Sequence, residues 1–308
     1  MVKLFTKHIS SISQSVKDLT FRKMKNKAGQ VLQKKPIPRN PNSQAQQARR
    51  QAYSRLCYLW SANKIEDKDY FINEAKKRRL DKTNLYLQAY LNILSYEPIL
   101  AVTCSMFTAD KLIDLTENAN DLTIVGGSIV QTGAGKYVYQ GLTAGQYAYI
   151  DNNAQFNQRN EFTVIGLLKI NDYHNWYNHI HKEIWTTVSS DYDWGIYSDA
   201  NGKLHFAIRD NTIRVEQDVV INFEKMQWIR VAFRWNGEYI TAWVDEQEGE
   251  ITNKTITYDE TKNYAQFRLS DDGGSNSEYM IAAYYNKALT DKQIKSILKS
   301  IKFMTNQE

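Results

Sequence analysis

The chain has 308 residues, of which 42% are hydrophobic and 12% aromatic, a composition typical of a globular protein with a sizeable core. It contains no run of 18 apolar residues, which excludes a membrane-spanning helix, and only two cysteines, Cys57 and Cys104, which excludes a disulfide framework. The 20 Tyr and 7 Trp favour strands, so the composition favours a mainly β protein.

The net charge of +5 is divided unevenly along the chain. Residues 1–100 contain 20 Lys and Arg against 7 Asp and Glu, a net charge of +13, whereas the remainder contains 19 against 27, a net charge of −8. A basic segment on an acidic body predicts a polyanionic partner, such as nucleic acid, or an acidic protein surface, with a solvated tail as the alternative. The candidate anchoring or anion-binding residues are Lys34, Lys35, Arg39, Arg49, Arg50 and Arg55.

Residues 1–41 are interpreted as a basic arm that ends in a proline-rich strap. The stretch around Gly29 predicts either a short ribbon or an extended arm. Pro36, Pro38 and Pro41 fix the backbone and push each preceding residue toward extended geometry. A stiff, basic strap of this kind suits a segment that is held by a partner.

Residues 42–100 are predicted to form a small three-helix module. Apolar residues recur at steps of three and four over 43–62, 67–79 and 83–96, which is helical spacing. The second of these segments has acidic residues at its start and basic residues at its end, the order that the helix dipole favours. Pro98 closes the module. Cys57 is predicted to lie on the first helix.

Residues 101–308 predict a β-sandwich or barrel followed by a final helix. Beyond residue 122, about a dozen short runs rich in Val, Ile, Tyr, Phe, Trp and Thr are separated by turn residues. Asn-Gly pairs at 201–202 and 236–237 predict two hairpins. The last helix is predicted to begin at Thr290 and to pack on the sandwich through one apolar face. Cys104 is predicted to lie in a loop.

Two loops of the predicted sandwich carry candidate ligand-binding residues. Aromatic rings at sandwich loops offer flat apolar faces on which sugars stack, although the same rings could pack inward beneath the loop. His174, His179 and His181 in the same region raise a metal site as a hypothesis, with an aromatic strand edge as the simpler interpretation. The candidate ligand-binding residues are Tyr173, Trp176, Tyr177, Asp191, Asp193 and Trp194.

The β region resembles the laminin-G-like, concanavalin A-like lectin and glucanase jelly roll over about residues 105–300. Five stretches in the family's order carry the resemblance: 114–127, 147–153, 162–170, 228–246 and 286–298. The sequence departs from the family where Glu246 stands in place of the usual glycine, and where the segment YMIAAYYN lacks the usual Gly-x-Ile-Asp. The resemblance implies a mainly β, concanavalin A-like jelly-roll sandwich.

The same resemblance raises two further possibilities for chemistry. Many members bind calcium through carboxylate and backbone oxygens, for which Asp271, Asp272 and Asn276 are candidates, with a solvated turn as the alternative. Glucanases use two carboxylates, and the acidic run 245–250 contains several. Because this run follows a strand directly and contains Gly249, it is interpreted as a hairpin turn. The only catalytic candidates are Glu246, Glu248 and Glu250.

The first 97 residues resemble a module found in front of varied C-terminal domains in bacteriophage and other viral structural proteins. The match is most specific over 35–50, where the sequence reads KPIPRNPNSQAQQARR, preceded by Thr20, Phe21 and Arg22. This resemblance implies a virion or virus-associated protein.

Together the resemblances imply a virion structural protein, not an enzyme, that is anchored by its basic module and displays the sandwich for host-glycan attachment or subunit contacts. Its expected partners are other virion proteins, copies of itself, host glycans and, through the arm, nucleic acid. The alternatives are a glycan-cleaving enzyme and a capsid-interior protein whose arm binds the genome. Because the N-terminus shows no signal peptide, we expect synthesis in a host cytoplasm and export with the virion.

Overall fold

The computed structural model divides into two compact units, Met1–Gln44 and Ala45–Glu308. In the first unit it describes short strands, and in the second it describes most of the chain. The described residues are 3–4, 15–16, 19–23, 30–34, 43–151, 154–156, 161–173, 177–185, 190–209, 216–251, 265–270 and 275–305.

The N-terminal unit is a small antiparallel sheet in the order β1-β4-β3-β2. Its two central strands pair Thr20 with Gln33 and Phe21 with Leu32, which agrees with the first of the two alternatives, a short ribbon or an extended arm. Gly29 lies outside the described residues. The proline strap lies outside the described residues. The strands of this unit are β1 (Lys3–Leu4), β2 (Ser15–Val16), β3 (Leu19–Lys23) and β4 (Gln30–Lys34).

Three helices follow close to their predicted positions: α1 (Gln44–Ser61), α2 (Lys68–Lys77) and α3 (Lys82–Leu94). The Asp81 carboxylate caps α3 by accepting hydrogen bonds from the first free backbone N–H groups, at 2.9 and 3.2 Å. The apolar stripes of the three helices are buried together, as their spacing predicts. Among the described residues, none of the helices combines the length and the apolar character that crossing a bilayer requires.

The rest of the second unit is a mainly antiparallel β structure, so the predicted mainly β fold is confirmed. Most of its strands form one continuous ladder in the order β15-β14-β13-β12-β19-β10-β7-β6-β5-β20-β11-β16-β17-β18, and β9 joins β8 to β20. The described strands are β5 (Leu100–Phe107), β6 (Lys111–Asp114), β7 (Leu122–Val125), β8 (Ser128–Gln131), β9 (Tyr137–Gly141), β10 (Tyr147–Ile150), β11 (Phe162–Ile170), β12 (Tyr177–Trp185), β13 (Ser190–Ser198), β14 (Lys203–Arg209), β15 (Glu216–Asn222), β16 (Trp228–Trp235), β17 (Ile240–Val244), β18 (Gln247–Ile251), β19 (Ala265–Leu269) and β20 (Ser277–Tyr285).

The ladder folds back on itself, and its two halves enclose an aromatic core. Trp194 of β13 stacks on Tyr284 of β20, with ring centroids 5.9 Å apart and planes within 7° of parallel. Phe162 and Phe233, from β11 and β16, complete the contact at 5.3 and 6.1 Å from the Trp194 ring. Because residues far apart along the ladder share this core, the structure is a sandwich.

The helices cover the outer face of one half of the sandwich. Side chains on that face of β11, β16, β17 and β20, such as Trp243 and Tyr285, belong to the same buried cluster as the helices. The Tyr285 hydroxyl donates a hydrogen bond to the Ile93 carbonyl oxygen of α3, at 3.0 Å. Every residue of β16, β17 and β20 is therefore buried. The division into three domains stays a prediction. The helices share one buried cluster with strands of the sandwich, and the interior of the sandwich forms a second cluster.

The final helix, α4 (Asp291–Ser300), begins where the sequence predicts. The Thr290 and Gln293 side chains form a reciprocal capping box, which fixes this end of the helix. Arg234 of β16 donates to the Leu289 carbonyl oxygen and to Asp291, at 3.1 and 2.5 Å, and thereby ties α4 to the sheet.

Two local predictions need correction. Cys104 lies within β5 and not in a loop, because β5 continues through an apolar stretch that pairs with β20. The run 245–250 is a tight turn only at Asp245 and Glu246, after which the chain forms β18. Both predicted Asn-Gly hairpins are confirmed, with Gly202 and Gly237 at φ of +76° and +92°.

Candidate functional site

The predicted aromatic loop is partly structured around Tyr173. Its ring packs edge-on against Phe223, with centroids 5.3 Å apart, and its hydroxyl donates to the Phe223 carbonyl oxygen at 3.3 Å. The Lys225 ammonium lies 5.0 Å from the ring centroid and pairs with Asp172 at 3.1 Å. One face of the Tyr173 ring is therefore occupied by a cation from its own chain. Trp176 lies outside the described residues.

The other candidate ligand-binding residues do not converge on this loop. Trp194 is buried in the sandwich core, so its ring offers no free face for stacking. Tyr177 is half-buried at the start of β12. Asp191 and Asp193 lie in β13, where Asp191 pairs with Ile184 of β12. The prediction of Trp194 as an exposed stacking ring is therefore wrong, whereas Tyr177, Asp191 and Asp193 stay predictions.

Two of the three histidines that suggested a metal site, His179 and His181, are part of the fold. His179 is buried, with its Nε2 2.9 Å from the Ser198 hydroxyl and its Nδ1 2.9 Å from the Ser277 hydroxyl. His181 is buried in the same strand, and His174 lies outside the described residues. Within the part of the chain that the structure describes, no three His, Cys, Asp or Glu side chains are grouped to hold a metal ion.

The calcium hypothesis stays a prediction. Asn276 is half-buried with a φ of +44°, and its carbonyl oxygen accepts a hydrogen bond from the Asn171 backbone at 3.0 Å. Asp271 and Asp272 lie outside the described residues.

Two of the three acidic candidates of the β17–β18 hairpin are engaged in ion pairs. Glu246 pairs with Lys302 at 2.7 Å and Glu248 with Lys295 at 2.8 Å. The hydrogen bond from Lys302, followed by its charge, lowers the pKa of Glu246 below its usual value. A carboxyl held ionised in this way is poorly suited to act as a general acid. Glu250 lies in β18.

The predicted anion-binding residues separate into three groups. Lys34 ends β4, while Lys35 and Arg39 lie outside the described residues. Arg49 and Arg50 are exposed on α1. Arg55 is different, because it is half-buried on the same helix and lines a cleft.

The Arg55 cleft, as we call it, lies between α1, the segment after α3 and the β6–β7 loop. Its volume is about 200 Å³. A more open cleft of about 400 Å³ adjoins it, and Gln51, Arg55 and Glu117 line both. Sequence reasoning identified Arg55 only as a basic residue and missed the cleft. The sequence feature that indicates the cleft is the pair of small side chains, Ala48 and Ala52, on the buried stripe of α1, because they leave space beside Arg55.

One wall of the Arg55 cleft is held by a hydrogen-bonded loop. The buried Asp114 carboxylate accepts from the Thr116 hydroxyl at 2.6 Å and from the backbone N–H groups of Ala101, Thr116 and Asn120, each at 3.0 Å. Burial raises the pKa of Asp114, and these hydrogen bonds oppose the rise. The Asn118 side chain crosses to the segment after α3, where it donates to the Ile99 carbonyl oxygen at 3.0 Å.

No family model matches the chain, and no curated protein sequence matches it. Solved structures do match. Trypanosoma rangeli sialidase in complex with sialic acid has a TM-score of 0.52 at 12% identity, over 68% of this chain and 33% of the sialidase. The botulinum neurotoxin serotype D ligand-binding domain in complex with N-acetylneuraminic acid has a TM-score of 0.51 at 14% identity, over 66% of this chain and 50% of that one.

At this level of identity the similarity shows the fold alone. The chain spans about a third of the sialidase and half of the toxin chain. The lectin-like sandwich that the resemblance implies is therefore supported, while membership of the laminin-G family stays a prediction. What these matches show for this chain is a β-sandwich fold.

The prediction that the protein is not an enzyme is overturned by these matches. Trypanosoma rangeli sialidase is an enzyme, and about a third of its chain has this fold. The same fold occurs in the ligand-binding domain of a toxin. The sandwich is thus found in enzymes as well as in binding domains, and it does not exclude catalysis.

Proposed function

We propose that this protein binds sialylated glycans. The observation that carries the proposal is the similarity of its sandwich to two structures solved with sialic acid, the Trypanosoma rangeli sialidase and the botulinum neurotoxin serotype D ligand-binding domain. The helices that cover one sheet provide additional surface and a cleft for recognition.

The experiment that tests this proposal is a calorimetric titration of the full chain with 3′-sialyllactose and, separately, with lactose. We expect saturable binding of the sialylated sugar and at least tenfold weaker binding of lactose, because a carboxylate adds a charge-assisted contact. An array of mixed glycans, with a known lectin as positive control, extends the search. Absence of binding to every glycan on that array would refute the proposal.

A second candidate function is glycan cleavage, and the similarity to sialidases is the observation that favours it. The sequence offers Glu246, Glu248 and Glu250 as the carboxylates to examine first. The same solutions are therefore analysed for released N-acetylneuraminic acid and for lactose. Turnover that is lost in Glu248→Gln would establish cleavage at the hairpin, and intact substrate with measurable binding would reject it.

The proposed setting of this activity is a virion. The support is the resemblance of residues 1–97 to a viral structural module and the concentration of positive charge in residues 1–100. In this proposal the basic segment contacts other virion proteins or nucleic acid, and the sandwich faces the host. Antibodies raised against residues 101–308 should label intact particles. Labelling only of disrupted particles would contradict an outward-facing sandwich and favour a capsid-interior location.

A further inference from the structure

The Arg55 cleft contains a cationic donor that the fold leaves unused. Arg55 Nε is buried and makes no hydrogen bond within the part of the chain that the structure describes. A buried donor without a partner is energetically unfavourable, so such groups are rare and call for an explanation. We propose that the Arg55 cleft binds the carboxylate-bearing sugar of a glycan. This inference rests on the proposed function and assigns it a site and a ligand class.

The ligand carboxylate would pair with the terminal N–H groups of the Arg55 guanidinium, because Nε itself is buried. A guanidinium presents its N–H donors in a planar fork that matches a carboxylate, and charge-assisted bonds of this type are about twice as strong as neutral ones. The other charges at the rim limit what can bind. Glu97 and Glu117 line the Arg55 cleft, so its lining carries two carboxylates beside one arginine. Glu97 is itself paired with Lys287 at 3.6 Å, and Arg50 lines the adjoining cleft, so cations offset the two carboxylates. A nearly neutral lining of this kind accommodates a ligand with a single negative charge and does not attract a polyanion such as nucleic acid.

The remainder of the lining fits a sugar ring. Sugars have an apolar C–H face and a periphery of hydroxyl groups, and the cleft has an apolar floor with a polar rim. A volume of about 200 Å³ suits one monosaccharide, and the adjoining cleft has room for a second, next to the exposed ring of Tyr58. The floor is formed by Ala48, Ala52, Leu94, Pro98 and Leu115. The polar rim includes Gln51, Glu97, Thr116, Glu117 and Asn118.

The backbone beside the cleft is strained. Glu97, on the rim, has a φ of +53°, and Ala119, next to Asn118, has a φ of +55°. Side-chain-bearing residues adopt this left-handed geometry at an energetic cost, and such residues occur at binding sites as well as at turns. Hydrogen bonds from Asn118 to the segment after α3 hold the two strained segments together. The wall is thus positioned before a ligand arrives, which reduces the ordering cost of binding.

Variants of the full chain test the site with 3′-sialyllactose as the probe. Arg55→Gln removes the charge, and Arg55→Lys keeps the charge but not the planar fork. Ala48→Leu fills part of the floor with the arginine intact. The matched control is Arg49→Gln, an exposed arginine of the same helix that lines neither cleft. Thermal unfolding of each variant confirms that it is folded before it is titrated.

We expect the dissociation constant to rise at least tenfold in Arg55→Gln and in Ala48→Leu, to rise less in Arg55→Lys, and to stay unchanged in Arg49→Gln. If the wild-type chain binds the probe and the Arg55 and Ala48 variants bind it equally well, this site is refuted and the proposed function stands. If the wild-type chain binds no glycan, the proposed function fails and this inference fails with it. An Arg55 variant that does not fold leaves Ala48→Leu to decide.

Discussion

Replacement of Asp67 by asparagine is expected to reduce the loss of stability between pH 5 and pH 7 by about 2 kcal/mol. Asp67 lies at the junction of the helices and the sheet, where its side chain is only 2% exposed. The Ser105 hydroxyl donates to its Oδ2 at 2.8 Å, and its Oδ1 has no partner within the described residues. Burial raises the pKa of Asp67 to about 7, against the opposing effects of the Ser105 bond and the Lys136 charge.

The sign of the effect follows from this raised pKa. The folded chain holds the Asp67 proton more tightly than a solvated carboxyl of ordinary pKa 3.8, so the stabilising contribution is complete below about pH 4 and is lost as the pH rises through 7. A difference of about three pKa units corresponds to about 4 kcal/mol, of which about 2 kcal/mol falls between pH 5 and 7. Burial lowers the pKa of Lys136 to about 8, so that group titrates mainly above this range.

The assay is urea unfolding followed by tryptophan fluorescence at pH 5, 6 and 7, with the free energy of unfolding taken at each pH. Wild type should lose about 2 kcal/mol more than Asp67→Asn across this range. A difference in the free energy of unfolding that is the same at every pH does not test the prediction, because the buried asparagine amide also lacks a partner and changes stability at all three pH values. Asp69→Asn, which removes an exposed carboxylate two residues away, is the matched control. Parallel curves for wild type and Asp67→Asn would refute the reasoning.

Three further substitutions test the packing. Gly126→Ala should lower the free energy of unfolding by more than about 1 kcal/mol, because φ is +64° and a new Cβ would lie 2.5 Å from the Gly145 carbonyl oxygen. Thermal melts measure the effect. Gly133→Ala is the control and should have little effect, because no atom lies within 4 Å of its new Cβ. Trp194→Ala should cost about 3–5 kcal/mol in guanidinium unfolding, and a loss below about 1 kcal/mol would contradict its place in the core. Arg234→Met should cost about 1–3 kcal/mol by leaving buried acceptors unpaired, and unchanged stability would show that those hydrogen bonds contribute nothing.

Elements with strong local signals could be predicted from the sequence. Helix α4 begins at Thr290 because the capping residues and the apolar spacing agree. The two Asn-Gly hairpins follow from the need for positive φ at the turn, which Gly202 and Gly237 supply. In each case a few neighbouring residues determine the geometry.

Predictions that depended on which face of a strand is exposed were weaker. The alternation of apolar and polar residues along a strand identifies its buried side only when the other side faces water. In β16, β17 and β20 both sides are buried, because the helices cover the outer side. Trp194 illustrates a related difficulty, since a tryptophan that follows two aspartates and precedes a glycine resembles an exposed loop ring. The contact with Tyr284 that buries it joins segments 90 residues apart in sequence, and no local pattern contains that information.

The Arg55 cleft was unpredictable for the same reason, and its position explains why the fold comparison does not reveal it either. The cleft exists because α1 packs beside the sandwich, so its walls come from residues 48–55, 94–98 and 115–118. A helix alone would leave Arg55 solvated, and a sandwich alone would leave Leu115 exposed. Recognition at this position would therefore depend on the shared core that joins helices to strands. A ligand that requires the cleft would also stabilise that core by mass action, and the sugar-binding titration and the unfolding transition should be linked.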